Sequence, residues 1–144
     1  MCITTLGKLY FNYLREEGYA PKYDNDGDVI FKSEGKTLIV SINERDQSFI
    51  RLILPNFWEL ESEMEASKAL RVANEVNHEI KVAKIVIVQE NVWATAEIFI
   101  DSTPDFDDFF NRLIAVVLHA QKDFGEKMLA SGGGRSDLPI KLIR

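Results

Sequence analysis

Between residues 19 and 54 four short apolar runs are separated only by turn residues. None of those gaps is long enough for a helical crossover, and parallel neighbours need one. The runs must therefore pair as antiparallel hairpins. The first spans residues 19–24, and Asn25, Asp26 and Gly27 follow it. Those three tolerate positive φ and suit a tight turn. The second run spans 29–33, and Glu34-Gly35 turns the chain again. The third spans 37–43 (TLIVSIN). A polar stretch, 44–48, leads to the fourth at 49–54. Pro55 is expected to end that strand, because proline has no N–H for a ladder.

Helical periodicity brackets these strands. Leu6, Leu9, Tyr10, Tyr13 and Leu14 make one apolar stripe, which predicts a helix over residues 4–17. Thr4 or Thr5 can cap it, and Gly18 stands where a left-handed stop is wanted. A second helix is expected over 62–80, with Ala66, Ala69, Leu70, Ala73, Val76, Asn77 and Ile80 on one side. Its alanines imply close approach to another element. Ser62 and Glu65 have capping-box spacing. Strands at 83–89 and 92–100 follow, with Glu90-Asn91 between them. A last helix is expected to start after Ser102 or Thr103, to take Pro104 in its first turn, and to reach Ala130. Its apolar set, which includes Phe106, Phe110, Leu113, Val117 and Phe124, is wider than one stripe. A helix of that kind is deeply buried or faces two neighbours. The resulting order is α-ββββ-α-ββ-α. This is an α+β fold: an antiparallel sheet with helices packed on one face.

The 144 residues suggest one domain, placed at 1–130. Residues 131–144 differ in kind. Ser131-Gly132-Gly133-Gly134 reads as a flexible linker to a short C-terminal tail, which is expected to be disordered. The formal net charge of -6 argues against nucleic acid, whose binding rests on cations paired with phosphates. A single cysteine, Cys2, cannot form an internal disulfide and fits a reducing, cytoplasmic compartment. No run approaches the roughly 20 apolar residues of a membrane span.

Catalytic equipment is not assembled by any motif. Asp24, Asp26 and Asp28 alternate as in part of a calcium loop, but the glycine comes too early and the closing glutamate is missing. A hairpin turn rich in solvated acids explains them, and no metal is expected. His78 and His119 have no second ligand at metal spacing. Cys2 has no base held beside it. Gly132–Gly134 lack the lysine and following helix of a phosphate loop. Adjacent carboxylates such as Glu16-Glu17 and Asp107-Asp108 point to different helix faces. The expectation is a protein with no catalytic residues and no cofactor.

The strands point to binding instead. Leu38, Val40 and Ile42 alternate with Ile39, and Ile50, Leu52 and Leu54 alternate with Phe49, Arg51 and Ile53. A sheet apolar on both sides is covered on both sides. Helices on one face leave the other for a twin subunit or a client segment. Ala94, Ala96 and Ile98 suit a close-packed helix, so Trp93 is expected on the opposite face with Thr95, Glu97 and Phe99. Ile39, Phe49, Ile53, Trp93 and Phe99 are the candidate partner or dimer surface. Asn74 and Asn77, one helical turn apart, form a candidate polar clamp on a bound backbone. Hydrogen bonds from the helix to the protein's own sheet or to a loop are the favoured reading for them, since most buried polar groups are satisfied internally. A regulatory or small-ligand sensor is the alternative, with Tyr10, Tyr13, Phe57 and Trp58 lining a pocket.

Several phrases carry a resemblance: LREEGY (14–19), DGDVIFKSEGKTLIV (26–40), FIRLILPNFWEL (49–60), ALRVANEVNHEIKVAKI (69–85) and VWATAEIFI (92–100). Over residues 4–129 the chain resembles the YbjN-like family, which shares its fold with type III secretion chaperones. The resemblance implies an α+β fold in a bacterial protein, frequent homodimerisation, and non-enzymatic binding of a protein or peptide client. The glycine-linked tail departs from that pattern.

Overall fold

A computed structural model describes residues 3–100 and 106–130. The first helix, α1 (Thr5–Glu16), is capped by Thr4, whose hydroxyl accepts the Gly7 N–H at 2.9 Å. It stops as the sequence indicates. Gly18 takes φ +89, its N–H reaches Arg15 O, and the Tyr19 N–H reaches Leu14 O. That pair of bonds closes a Schellman motif.

Six strands form one antiparallel sheet: β1 (Lys22–Tyr23), β2 (Val29–Ser33), β3 (Lys36–Ser41), β4 (Phe49–Glu59), β5 (Ala83–Val88) and β6 (Asn91–Phe99). Their spatial order is β1-β2-β3-β4-β6-β5, so β1 and β5 are the edges. Helix α2 (Glu63–Glu79) joins β4 to β5, and α3 (Phe106–Leu129) follows β6. The expected order and class are therefore found. The expected start of α3, at Ser102, Thr103 and Pro104, lies outside the described residues, as do Cys2 and the tail.

Three local expectations are corrected. The first strand is far shorter than residues 19–24. Tyr19 is tied to the end of α1, Ala20 takes φ 50, and Pro21 has no N–H, so pairing begins only at Lys22. The fourth strand does not end at Pro55. The ladder shifts register between Leu54, opposite Ala94, and Trp58, opposite Val92. Pro55 lies in this bulge, where no ladder N–H is required, and Asn56 supplies the left-handed turn at φ 50. On α2, Leu70 is 63% exposed, and Val72 joins Ala69, Ala73 and Val76 in the buried stripe.

The core lies between the sheet and the helices. Val29, Phe31, Leu38, Val40, Ile50, Leu52, Leu54, Ile85, Val92, Ala94 and Ala96 face it from the strands. Small Ala94 and Ala96 sit in the central part of the sheet where α3 lies against β4, β5 and β6. Phe110 packs against Tyr10 and Phe31, joining α1, α3 and the sheet. Helix α3 also packs on α2. Lys68 of α2 donates to Met128 O at 2.8 Å and to Ala130 O at 3.1 Å, which serves the orphan carbonyls at the end of α3. The breadth of the apolar set on α3 follows from these two neighbours.

Candidate binding surface

Side chains alternate across each strand, so the residues between the core positions emerge on the face opposite the core. Cross-strand register then places them in rows. Lys22, Ile30, Ile39, Ile53, Thr95 and Lys84 stand opposite one another in turn across all six strands. The next row is Ser41, Arg51 and Glu97. Beyond it Phe49 pairs with Phe99, ring centroids 5.8 Å apart. On the other side of the long row Val86 pairs with Trp93. The five residues singled out from the sequence, Ile39, Phe49, Ile53, Trp93 and Phe99, thus share one face, away from the core.

That face is apolar but not uniform. Phe99 is 80% exposed, whereas Ile53 is 7% exposed among its neighbours. Trp93 is half-buried, and its indole N–H donates to Asn56 Oδ1 at 2.8 Å. The bulge at Pro55 therefore supplies the acceptor that fixes the Trp93 ring. A charged row crosses the middle. Glu97 Oε1 lies 3.2 Å from Arg51 Nε and 3.4 Å from Lys84 Nζ, so one carboxylate serves two cations. The Arg51 contact is an ion pair without hydrogen-bond alignment. Such exposed pairs contribute roughly 0.2–1 kcal/mol each. Thr95, between Ile53 and Lys84 in the long row, is fully buried, and its hydroxyl has no hydrogen-bond partner among the described residues. An unsatisfied buried hydroxyl costs about 1–3 kcal/mol.

Of the two asparagines proposed as a clamp on a bound backbone, Asn77 bonds within the chain. The Asn77 side chain accepts the Ile85 N–H at 2.6 Å and donates to Ile85 O at 3.1 Å. It grips the chain's own edge strand, β5, as a neighbouring strand would. Asn74, one turn earlier, is exposed.

The other sequence candidates resolve locally. Asp24, Asp26 and Asp28 bring carboxylate oxygens within 4.8 Å of one another. Two of the three are committed to backbone: Asp24 Oδ1 accepts the N–H groups of Asp26 and Asp28, both at 2.9 Å, and Asp28 Oδ1 accepts the Ile42 N–H at 2.8 Å. Burial raises the Asp28 carboxyl above its ordinary value, against the lowering effect of the Ile42 bond. The turn and its tie to Ile42, just past the end of β3, account for the cluster. His78 and His119 are exposed on α2 and α3. The four aromatics of the sensor alternative are not brought together. Tyr10 and Tyr13 pack on Phe110, while Phe57 and Trp58 pack on Phe124. Those anchors are four turns apart on α3, about 21 Å at 1.5 Å per residue. A separate cleft of about 690 Å³ opens between α1 and the β3–β4 connection, lined by Leu6, Leu9, Asn12, Arg45 and Gln47 among others.

Sequence reasoning missed the cationic share of the open face, namely Lys22, Lys32 and Lys84. Strand alternation gives each residue's side, but register is needed to collect them.

Comparison with known proteins agrees with this architecture. One chain of the HopA1-SchA chaperone-effector complex is similar with a TM-score of 0.59 and 14% identity, covering 87% of this chain and 99% of that one. YbjN from E. coli is similar with a TM-score of 0.60 and 11% identity, covering 88% of this chain and 92% of that one. At these identities the likeness concerns the fold. No curated protein sequence matches the chain. A family model matches residues 12–138, nearly the whole described fold, and on that ground the chain belongs to the TY-Chap1 family, the T3SS (YopN, CesT) and YbjN peptide-binding chaperone 1 group.

Proposed function

We propose that the protein is a non-enzymatic, chaperone-type module that holds a protein or peptide client in the cytoplasm and acts as a homodimer. The observation that carries the client-binding part of this reading is the sheet face away from the core, where Ile39, Phe49, Ile53, Trp93 and Phe99 gather and none of the described helices packs. Apolar side chains gathered on a sheet face that no described helix covers are a common mark of interaction sites. Membership of a peptide-binding chaperone family supports the same reading, as does the chaperone-effector complex formed by one structural relative. Among the described residues no helix is long and apolar enough to cross a membrane.

The test is Trp93→Ala. Trp93 is half-buried on the open face, so the variant keeps its thermal stability while peptide binding weakens. A collapse of stability with no loss of binding would retire the proposal. Solution mass tests the homodimer separately.

The small-ligand sensor keeps one supporting observation, the cleft beside α1, whose volume of about 690 Å³ is in the range of ligand sites. A thermal-shift screen with metabolites separates the two readings, since a ligand bound only by the native state raises its Tm. An upward shift abolished by Leu9→Glu, a change on the rim of that cleft, would favour the sensor.

A further inference from the structure

Within the strands, the open face holds more cations than acids, although the chain as a whole is acidic. Its strand positions hold four cations, Lys22, Lys32, Arg51 and Lys84, against two carboxylates, Glu59 and Glu97, on a protein whose formal net charge is -6. The two cations at its centre are more exposed than the acid they share. The Arg51 and Lys84 side chains are 39% and 49% exposed, and that of Glu97 is 25% exposed. An incoming group therefore meets the cations first.

The geometry divides the face into two apolar patches. Ile39, Ile53, Val86 and Trp93 lie on one side of the charged row, and Phe49 and Phe99 on the other. Trp93 and Phe99 are six residues apart on β6, about 20 Å at 3.3–3.4 Å per residue. A purely apolar client would bury Arg51 and Lys84 with one carboxylate between them, and a buried unpaired cation is costly.

We infer that the open face selects acidic amphipathic polypeptide segments, with two apolar anchors about 20 Å apart and carboxylates between them that pair with Arg51 and Lys84. This rests on the peptide-binding reading and adds the chemistry of the client. A second copy is a poor occupant of this face, so the proposed homodimer would use another surface of the chain. A two-fold contact would set each cationic face against itself. A nucleic acid matches the charge, but the centre of the face is aliphatic (Ile30, Ile39 and Ile53) and offers no stacking platform there.

Three labelled peptides with identical apolar residues test the inference by fluorescence anisotropy. Their intervening charged positions are all Glu, all Gln or all Lys. The Glu peptide is expected to bind about tenfold more tightly than the Lys peptide at low salt, with the gap closing as salt is raised. Arg51→Gln/Lys84→Gln brings the ratio close to one. Glu97→Gln, which frees both cations, widens it. Trp93→Ala lowers all three affinities together and leaves the ratio unchanged. Equal binding of the Glu and Lys peptides by the wild type overturns the inference and leaves peptide binding standing. A ratio unmoved by the double substitution also overturns it. Binding of none of the three overturns both readings. Displacement of the Glu peptide by single-stranded DNA assigns the face to nucleic acid, and dissociation of a homodimer by the Glu peptide assigns it to a second copy; either result overturns the inference.

Discussion

The two faces of the sheet are made by the same strands, residue by residue in alternation, and yet differ in almost every property. On the helix side Leu38, Val40, Ile50, Leu52, Ala94 and Ala96 are fully buried and aliphatic. On the open side apolar residues are interrupted by an ion-pair row and end at an exposed phenylalanine. The helix face is fixed by volume: alanines stand where α3 comes close, and larger side chains fill the rest. The open face is fixed by register, which aligns isoleucines across three strands and sets Arg51 opposite Glu97, with Lys84 reaching the same acid from the neighbouring row. The difference separates residues that fill the core from residues that stand on the face away from it.

The sharpest way to break this comparison is to truncate one residue on each side. Leu52→Ala removes a fully buried side chain from the helix face and is expected to cost about 2–5 kcal/mol. Phe99→Ala, at 80% exposure, is expected to cost about 0.5 kcal/mol or less, most of it from the lost contact with Phe49. Chemical denaturation of the two variants measures both. Comparable losses would mean that the open face is part of the folding core and not a surface held for a partner.

The two edges of the sheet differ in the same spirit. At the β1 edge only Val29 and Ile30 of β2 have strand partners, so the rest of β2 has no outer neighbour among the described strands. At the β5 edge Asn77 occupies both backbone groups of Ile85. Unpaired edges are templates for association, and a side chain that imitates a strand blocks one. Asn77→Ala is expected to cost about 1–2 kcal/mol. It should also speed amide exchange at Ile85 and leave exchange on the interior strand β3 unchanged. Unaltered exchange at Ile85 would show that the clamp does not guard the edge.

Much of the fold was legible because its signals are local. Short turns forced hairpins, alternation assigned Trp93 and Ala94 to opposite faces, and Ser62 with Glu65 marked the start of α2. Even there the detail differs. Ser62 Oγ accepts the Glu65 N–H as expected, but the Glu65 carboxylate returns to the Glu61 N–H, one residue before the cap. What stayed hidden depends on contacts distant in sequence or on fine phase. A proline in a strand reads as a stop, and only the pairing of β4 with β6 turns Pro55 into part of a bulge. Leu70 and Val72 differ by two residues, and α2 had to be seated on its neighbours to show which one is buried. The partner of Asn77 lies in the next strand, and its composition gives no hint of that. The candidate surface was legible in its apolar members and not in its charge, because Lys22, Lys32 and Lys84 come from three strands that only register brings to one face.

The two tryptophans extend the comparison to pH, with the smallest expected effect. Each indole N–H is fixed by one acceptor. On the helix side Trp58 donates to Glu65 Oε2 at 3.0 Å, and on the open side Trp93 donates to Asn56 Oδ1 at 2.8 Å. The first acceptor titrates and the second does not. The Glu61 N–H and then the Trp58 indole hold the Glu65 carboxyl below its ordinary value of 4.5. A carboxylate lowered in the folded state stabilises it above the unfolded pKa, and that contribution is lost as pH falls through the lowered folded value. With Trp93→Phe, which leaves Trp58 as the only indole, emission is expected to change as acid protonates Glu65, below pH 4.5. With Trp58→Phe, Trp93 emission is expected to stay flat over the same range while the fold persists. Glu65→Gln in the Trp93→Phe background should abolish the Trp58 transition, because the amide still accepts the indole N–H but has no proton to gain. A transition that survives Glu65→Gln would move its origin to another carboxyl and detach Trp58 from the pH response of the helix face.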